Sequence, residues 1–390
     1  MPAFRLTDAE LAYTARLREL AGEQLRPLAE AGTPGRLNRP LLRALGELGL
    51  LRDLFGGSPE AAPRDAAAMK LCLLRESLAR VCGEAETALA LQGLGSYPIL
   101  QAGSDALIRQ WLPQVVTGEA VAGFALSEPE ARSDAAGLQL RAERDSDGWS
   151  LSGTKTWISN APDADIYTVF GRTTPGARAR GITAFAVPGD SAGLSGEHLE
   201  LLSPHPIGRL DFDRVRVGPE SVLGEVDAGF AVAMRTLDLF RPSVGAFAVG
   251  MGQAALDATV AQVRSRRVHG GRLGDQQAVS HLVAEMASRL EAARLLVYAT
   301  ATAYDDGFEP AGRSSRAAMA KLLATETAQF VVDSAVQLHG AAGLQRGHLL
   351  EHLYRDVRSL RIYEGASEIQ RGIIGRAIIG REATSGESTR

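Results

Sequence analysis

The strongest constraint on this chain of 390 residues is a periodicity that changes twice along its length. From about residue 7 to 118, leucine and alanine recur at helical spacing, as at Leu17, Leu20, Leu41, Leu42, Leu45 and Leu48. Thr7 and Glu10 have the spacing of a capping box at the head of the first helix. Pro40, Pro63, Pro98 and Pro113 are expected to divide the stretch into several helices. From about 121 to 225 the texture becomes short β-rich runs, at 149–152, 154–159, 166–170 and 182–187, between turns of Gly and Pro. Within them Ser152-Gly153 is expected to turn a hairpin, and 171–181 to be an exposed connection. After Gly229 the helical period returns, with Val279, Leu282, Val283, Met286 and Leu290 on one face; Pro242 should kink the first of these helices or remove a hydrogen bond from it. The expected fold is therefore α+β and mainly helical. It has an N-terminal helical domain over 1–120, a middle β-barrel or sandwich over 121–226, a C-terminal helical bundle over 227–380, and a polar, disordered tail over 381–390.

Composition narrows the partners rather than the function. A formal net charge of −4 gives no general reason to expect nucleic acid or an anionic membrane, so small molecules or proteins are the expected partners. The two cysteines, Cys72 and Cys82, lie ten apart on a helical stretch and suggest neither a disulfide framework nor a metal site. The start carries no basic-then-apolar targeting pattern, and no run of about 18 apolar residues occurs. A cytoplasmic protein is expected.

Chemistry enters with Phe124-Ala125-Leu126-Ser127-Glu128-Pro129, continuing to Gly137, and with Trp157-Ile158-Ser159-Asn160 some twenty residues later. These segments, their spacing and the three-part order resemble the acyl-CoA dehydrogenase family over nearly the whole chain. The resemblance implies that Phe124, Leu126, Ser127, Trp157 and Ser159 line the isoalloxazine ring of FAD. Backbone amides and a hydroxyl suit the electron density that a reduced flavin accumulates, and an indole can shield one ring face. Arg132 stands where the family usually has glycine, beside Ser133 at the expected mouth of the thioester site. If that position requires a positive φ, an arginine there costs about 1 kcal/mol or more.

A second segment, Arg358 to Arg371, resembles the family stretch that carries the catalytic base, and Glu364 is the matching carboxylate. A proton α to a thioester is weakly acidic, so removing it needs a base in a dry pocket, where burial raises a carboxylate's pKa. Without its flanks, Glu364 would equally suit a solvated residue before a helix. Gly365 would let the backbone approach the flavin, Glu368 matches a dinucleotide contact, and Tyr363 is expected at the substrate.

Two further segments resemble places where one subunit holds the FAD of another. Arg266 matches a pyrophosphate-binding arginine, with His269 in place of the family's phenylalanine and Gln277 following at the family spacing. Gln337 opens a loop in which Ala341 replaces a glycine. Read alone, that loop is also a glycine helix stop. Shared FAD implies a homo-oligomer, a dimer or tetramer. Asp238 and Arg241, three apart on one helix face, are expected at the acyl thioester or paired with each other. Ser203 to Gly208 is unlike the commoner family sequence and reads only as a rigid turn. His348-Leu349-Leu350-Glu351-His352 fits a short zinc-peptidase pattern but lacks a distant third ligand, so no metal is expected. Nor does any phosphate loop or dinucleotide fingerprint occur. The expected activity is FAD-dependent α,β-dehydrogenation of an acyl-CoA or acyl-carrier-protein thioester, with electrons passed to an electron-transferring flavoprotein. The alternatives are a flavin oxidase or monooxygenase on the same fold, and, from another class, a non-catalytic FAD-binding protein.

Overall fold

A computed structural model of the chain describes residues 5–55, 67–307 and 312–382. The chain divides into two compact units that are not consecutive in sequence. One joins the first helix, Ala68–Gly83 and everything from Asp238 onward; the other is built from Gly22 to Phe55 and from Glu84–Leu237.

The second unit carries the sheet. Its strands are β1 Ala122–Ala125, β2 Arg141–Arg144, β3 Trp149–Ser159, β4 Ile166–Arg172, β5 Ile182–Pro188, β6 Leu194–His198, β7 Ile207–Val217 and β8 Val222–Leu223. They run in the order β6-β7-β3-β2-β4-β5-β8, with β1 added in parallel on β4. β4 and β5 read as near-continuous apolar runs and are buried along almost their whole length. Helix Gly83–Ala102 is tied to β1 through one side chain, because the Gln92 amide donates to the Ala120 carbonyl and accepts from the Ala122 N–H, both at 2.8 Å.

The first unit is a helical bundle. It comprises Asp8–Leu20, Ala68–Ala79, the greater part of the long helix Gly229–Ser265, and Gln277–Asp305, Arg313–His339, Leu349–Leu360 and Ser367–Glu382. The first helix opens with the capping box: Thr7 Oγ1 accepts from the Glu10 N–H while Glu10 accepts from the Thr7 N–H. Helix Gly229–Ser265 is long and apolar enough by composition to cross a membrane, but 72% of that window is buried within the protein, which marks it as a core helix. A short hairpin, β9 Arg267–Val268 and β10 Gly271–Arg272, turns on His269-Gly270 with φ of 46° and 84°. Positive φ at both central residues is the signature of a turn whose twist matches the strands.

Three local expectations are corrected. Ser152-Gly153 is no turn: β3 runs straight through it, with a register shift between Leu151 and Gly153 where a Cβ would press to 3.0 Å of Leu140 Cα. The glycine serves close approach and a bulge rather than reversal. Pro98 and Pro113 lie inside helices Gly83–Ala102 and Asp105–Thr117 rather than between them, whereas Pro40 sits in the first turn of Arg39–Glu47, where its missing N–H has no role. The last helix extends to Glu382, two residues into the stretch expected as a tail; the rest of that stretch, like Pro63, lies outside the described residues. Pro242 is accommodated within the helix Gly229–Ser265.

Candidate active site

In the sheet unit, two segments far apart in sequence are fastened together. Lys155, on β3, is fully buried and donates to Glu128 Oε1 at 2.8 Å and to the Leu126 carbonyl at 3.0 Å. The Glu128 carboxylate also accepts from the N–H groups of Gln139 and Leu140 at 2.6 and 2.9 Å. The Thr156 N–H donates to the Ser127 carbonyl, and Asn160 Nδ2 to the Ala122 carbonyl. These bonds place Phe124, Leu126 and Ser127 alongside Trp157 and Ser159. Burial pushes the Lys155 ammonium down to about 8, against the opposing pull of Glu128.

That edge fits a flavin on several counts. The Leu126 and Ser127 N–H groups just past β1 have no hydrogen-bond acceptor among the described residues, although both residues are half-buried. Trp157 is held at φ 59° beside a register shift between Lys155 and Ile158, and the large side chain stays 55% exposed. Phe124 packs edge-on to Phe170 at 5.1 Å, so its side chain anchors the strand. Unpaired amides, a bare indole and the Ser159 hydroxyl are what an isoalloxazine ring needs from a protein. Arg132 and Ser133 are exposed, and Arg132 is held at φ 48° with Nε donating to the Pro129 carbonyl. The position does demand a left-handed backbone. Arg132→Gly is therefore expected to raise stability by up to ~1 kcal/mol, measured as an upward shift in the denaturation midpoint; an unchanged or lowered midpoint would show that the guanidinium compensates for the strain.

In the helical unit, Glu364 follows helix Leu349–Leu360 at φ 50°, with Gly365 at φ 95°. The peptide oxygens here are clamped. Arg241 Nε donates to the Glu364 carbonyl at 3.3 Å, Gln370 Nε2 to the carbonyls of Glu364 and Gly365 at 3.1 and 2.8 Å, and buried Lys321 Nζ to Gly365 at 2.9 Å. The φ of 95° at Gly365 is one that L side chains rarely adopt, and a Cβ there would also press on the Gln370 amide, so glycine is favoured. Glu364 Oε2 is buried and has no hydrogen-bond partner. Burial raises the carboxyl's pKa, with the charges of Arg75, Lys321 and Arg241 opposing. The Glu364 N–H likewise has no acceptor among the described residues. Lys321 is pushed down to about 8 by burial, with Glu364 pulling the other way.

Asp238 and Arg241 meet at 3.4 Å, the Asp238 carboxylate takes the Ser314 hydroxyl at 2.5 Å, and burial raises Asp238 while lowering Arg241. The pair thus belongs to the setting of Glu364. Tyr363 is half-buried, whereas the Glu368 side chain is 80% exposed and lies 3.5 Å from Arg371. Arg266, His269, Gln277, Gln337 and Ala341 are all exposed. Arg266 makes no ion pair or side-chain hydrogen bond among the described residues, yet its charge, after burial and the nearby His348, helps lower the His339 imidazole. That sets the hairpin beside the end of helix Arg313–His339, which stops at Gly340 with φ 62°. Lys155, Lys321 and Arg75 carry no local sequence pattern, and only the fold brings them to these groups.

An enclosed carboxylate with a bare oxygen on a clamped loop, and a separate strand edge suited to an isoalloxazine ring, define a flavin-dependent oxidoreductase. Residues 7–119, 123–215 and 227–379 match, in turn, the N-terminal, middle and C-terminal domains of acyl-CoA dehydrogenase. The chain belongs to the acyl-CoA dehydrogenase family, and is an FAD-dependent oxidoreductase with that family's fold. It is 33% identical to cyclohexane-1-carbonyl-CoA dehydrogenase of Geobacter metallireducens over 380 residues, covering 96% of this chain and 99% of the relative. It is 36% identical over 315 residues to the caffeyl-CoA reductase-Etf complex subunit CarC of Acetobacterium woodii, covering 80% of this chain and 82% of that one. The solved structure of butyryl-CoA dehydrogenase from Megasphaera elsdenii superposes with a TM-score of 0.89 at 32% identity, over 97% of this chain and all of the other (100%).

Proposed function

We propose that the protein removes a proton from Cα and a hydride from Cβ of an acyl thioester, leaving an α,β double bond, and that Glu364 is the base. The observation that carries this reading is Glu364 Oε2, buried, without a partner and raised in pKa. A carboxylate so placed gains a proton more readily than a solvated one, and no internal donor competes for the lone pair. Negative charge moves from Cα onto the thioester oxygen as the proton leaves, and the unpaired Glu364 N–H is a donor suited to that oxygen. Arg241, Lys321 and Gln370 keep the peptide that bears both groups from turning. When bound, FAD would supply the two-electron acceptor for the Cβ hydride. On the sheet edge, Leu126 and Ser127 present N–H groups, Trp157 a ring face and Ser159 a hydroxyl for holding it.

Asp238, Arg241, Ser133 and Tyr363 are assigned to the thioester. Either CoA or a carrier protein can bear the acyl group. Electrons pass to an electron-transferring flavoprotein, a reading supported by the Etf complex named for the Acetobacterium woodii relative. The protein is further proposed to be a cytoplasmic homo-oligomer in which Arg266, His269, Gln277, Gln337 and Ala341 hold FAD for a neighbouring subunit. Exposed Leu344, Leu349, Ile378 and Ile379 suit burial between copies. Arg266→Ala should then weaken FAD retention, because a charge-assisted pyrophosphate contact is lost. Measured flavin content after dialysis checks this, and wild-type retention would remove Arg266 from the dinucleotide site.

The function is tested by adding a panel of acyl thioesters to the FAD-loaded protein without oxygen, and following bleaching of the flavin. Bleaching by some thioesters, slow reoxidation in air and fast reoxidation by an artificial acceptor are expected. Fast reaction with oxygen would establish an oxidase or monooxygenase instead, and no bleaching by any thioester would favour a non-catalytic FAD-binding protein.

A further inference from the structure

The segment Pro204-His205-Pro206, which no motif explains, reaches one of the residues assigned to the flavin. His205 Nε2 lies 2.9 Å from Ser159 Oγ, good hydrogen-bond geometry. The placement is built by the sheet. The Pro206 carbonyl accepts from the Asn160 N–H at 2.7 Å, and the next residues, Ile207 and Gly208, pair with Ser159 and Ile158 at the start of β7. Pro206 also confines the His205 backbone to extended conformations. The imidazole is thus fixed by its own main chain against the hydroxyl. Burial of the ring pushes its pKa down to about 4, so at ordinary pH it is neutral, with one nitrogen a donor and the other an acceptor.

A serine hydroxyl has one proton. If His205 Nε2 carries hydrogen, Ser159 accepts from it and keeps its own proton to donate elsewhere; if Nε2 is bare, Ser159 donates to the ring and can only accept elsewhere. Oxidised isoalloxazine offers only acceptors at N5 and the C4 oxygen, whereas the two-electron-reduced ring carries hydrogen on N5. We propose that His205 is a positioning residue that sets the direction of the Ser159 hydrogen bond toward the flavin, and through it the reduction potential of bound FAD. This rests on the assignment of Ser159 to the flavin made above.

The test is a double-mutant cycle on the FAD-loaded protein, read as midpoint potential by equilibration with reference dyes and as the visible flavin spectrum. His205→Phe and Ser159→Ala are each expected to change the oxidised-to-reduced equilibrium about tenfold, ~30 mV for a two-electron couple, in the same direction. The double variant should move no further, and His205→Gln, which returns a polar group near the Nε2 position, should restore most of the wild-type value. A shift for Ser159→Ala but none for His205→Phe, or shifts that add, would overturn the coupling while leaving Ser159 at the flavin. FAD bound with potential and spectrum unmoved by Ser159→Ala would overturn the proposal at its base, by removing Ser159 from the flavin. Should His205→Phe not yield folded protein, His205→Asn, which puts no group at the Nε2 position, replaces it in the cycle.

Discussion

Glu364→Gln is expected to bind FAD and acyl thioester as the wild type does, and to reduce its flavin slower by at least the ~10²–10⁴ of a lost general base. Glutamine preserves the length of the side chain and the N–H of residue 364, but cannot take a proton from Cα. Anaerobic stopped-flow bleaching isolates the step, and a wild-type rate would place the base on another element. Burial holds the Glu364 pKa above that of a solvated carboxyl, so the wild-type rate should fall as pH drops through that raised value. The stability consequence has the opposite sense. A carboxyl with a raised folded pKa binds protons more readily folded than unfolded, so stability declines as pH rises through the window between the two values. At neutral pH the ionised Glu364 is therefore a stability loss, and Glu364→Gln should melt slightly higher than wild type. Lost reduction together with a raised melting temperature is a signature that simple misfolding would not produce.

The largest loss of stability is expected from Lys155→Met. The Lys155 side chain is 0% exposed and its partner Glu128 5%, so the substitution strands a carboxylate in the interior. Leaving one member of a buried pair uncompensated costs ~3–5 kcal/mol. Replacing Glu128 as well would not restore the balance, because the Gln139 and Leu140 N–H groups would lose their acceptor. Since Lys155 also holds the Leu126 carbonyl, flavin retention should fall alongside stability. Urea denaturation followed by far-ultraviolet circular dichroism, with flavin content measured in parallel, gives both quantities. A loss below ~1 kcal/mol would mean that water reaches Glu128 and the pair is not the fastening that its burial implies.

What could be read from the sequence was whatever is written locally. The Thr7 capping box, the apolar runs of β4 and β5, and the helical stripe ending in Met286 and Leu290 each need only a few neighbouring residues, and each forms. Ser152-Gly153 misled because glycine serves both turns and close approach, and only the position of Leu140, distant in sequence, decides between them. Pro98 and Pro113 misled because burial of helices Gly83–Ala102 and Asp105–Thr117 outweighs the hydrogen bond each proline removes. At the site, Glu364 stands out through its flanks and Arg241 through its helix spacing from Asp238, but Lys321, which holds the Gly365 carbonyl, does not. Lys321 is 44 residues from Gly365, Lys155 is 27 from Glu128 and His205 is 46 from Ser159. A single lysine or histidine carries no local pattern, so its importance appears only once the fold supplies the partner.

The left-handed backbone at Arg132, Trp157, His269 and Glu364 has a consequence for how this protein can change. At roughly 1–2 kcal/mol for each L-residue in that region, the four together set about 4–8 kcal/mol against folding, a large share of the ~5–15 kcal/mol by which domains are usually stable. A search for heat-tolerant variants would therefore return glycine or asparagine at these positions early. Three of the four are the indole, the turn and the carboxylate assigned to cofactor and chemistry, so those gains would select inactive protein. Arg132 alone of the four is free of such an assignment, which makes it the position where stability can be gained without touching the cofactor edge or the base.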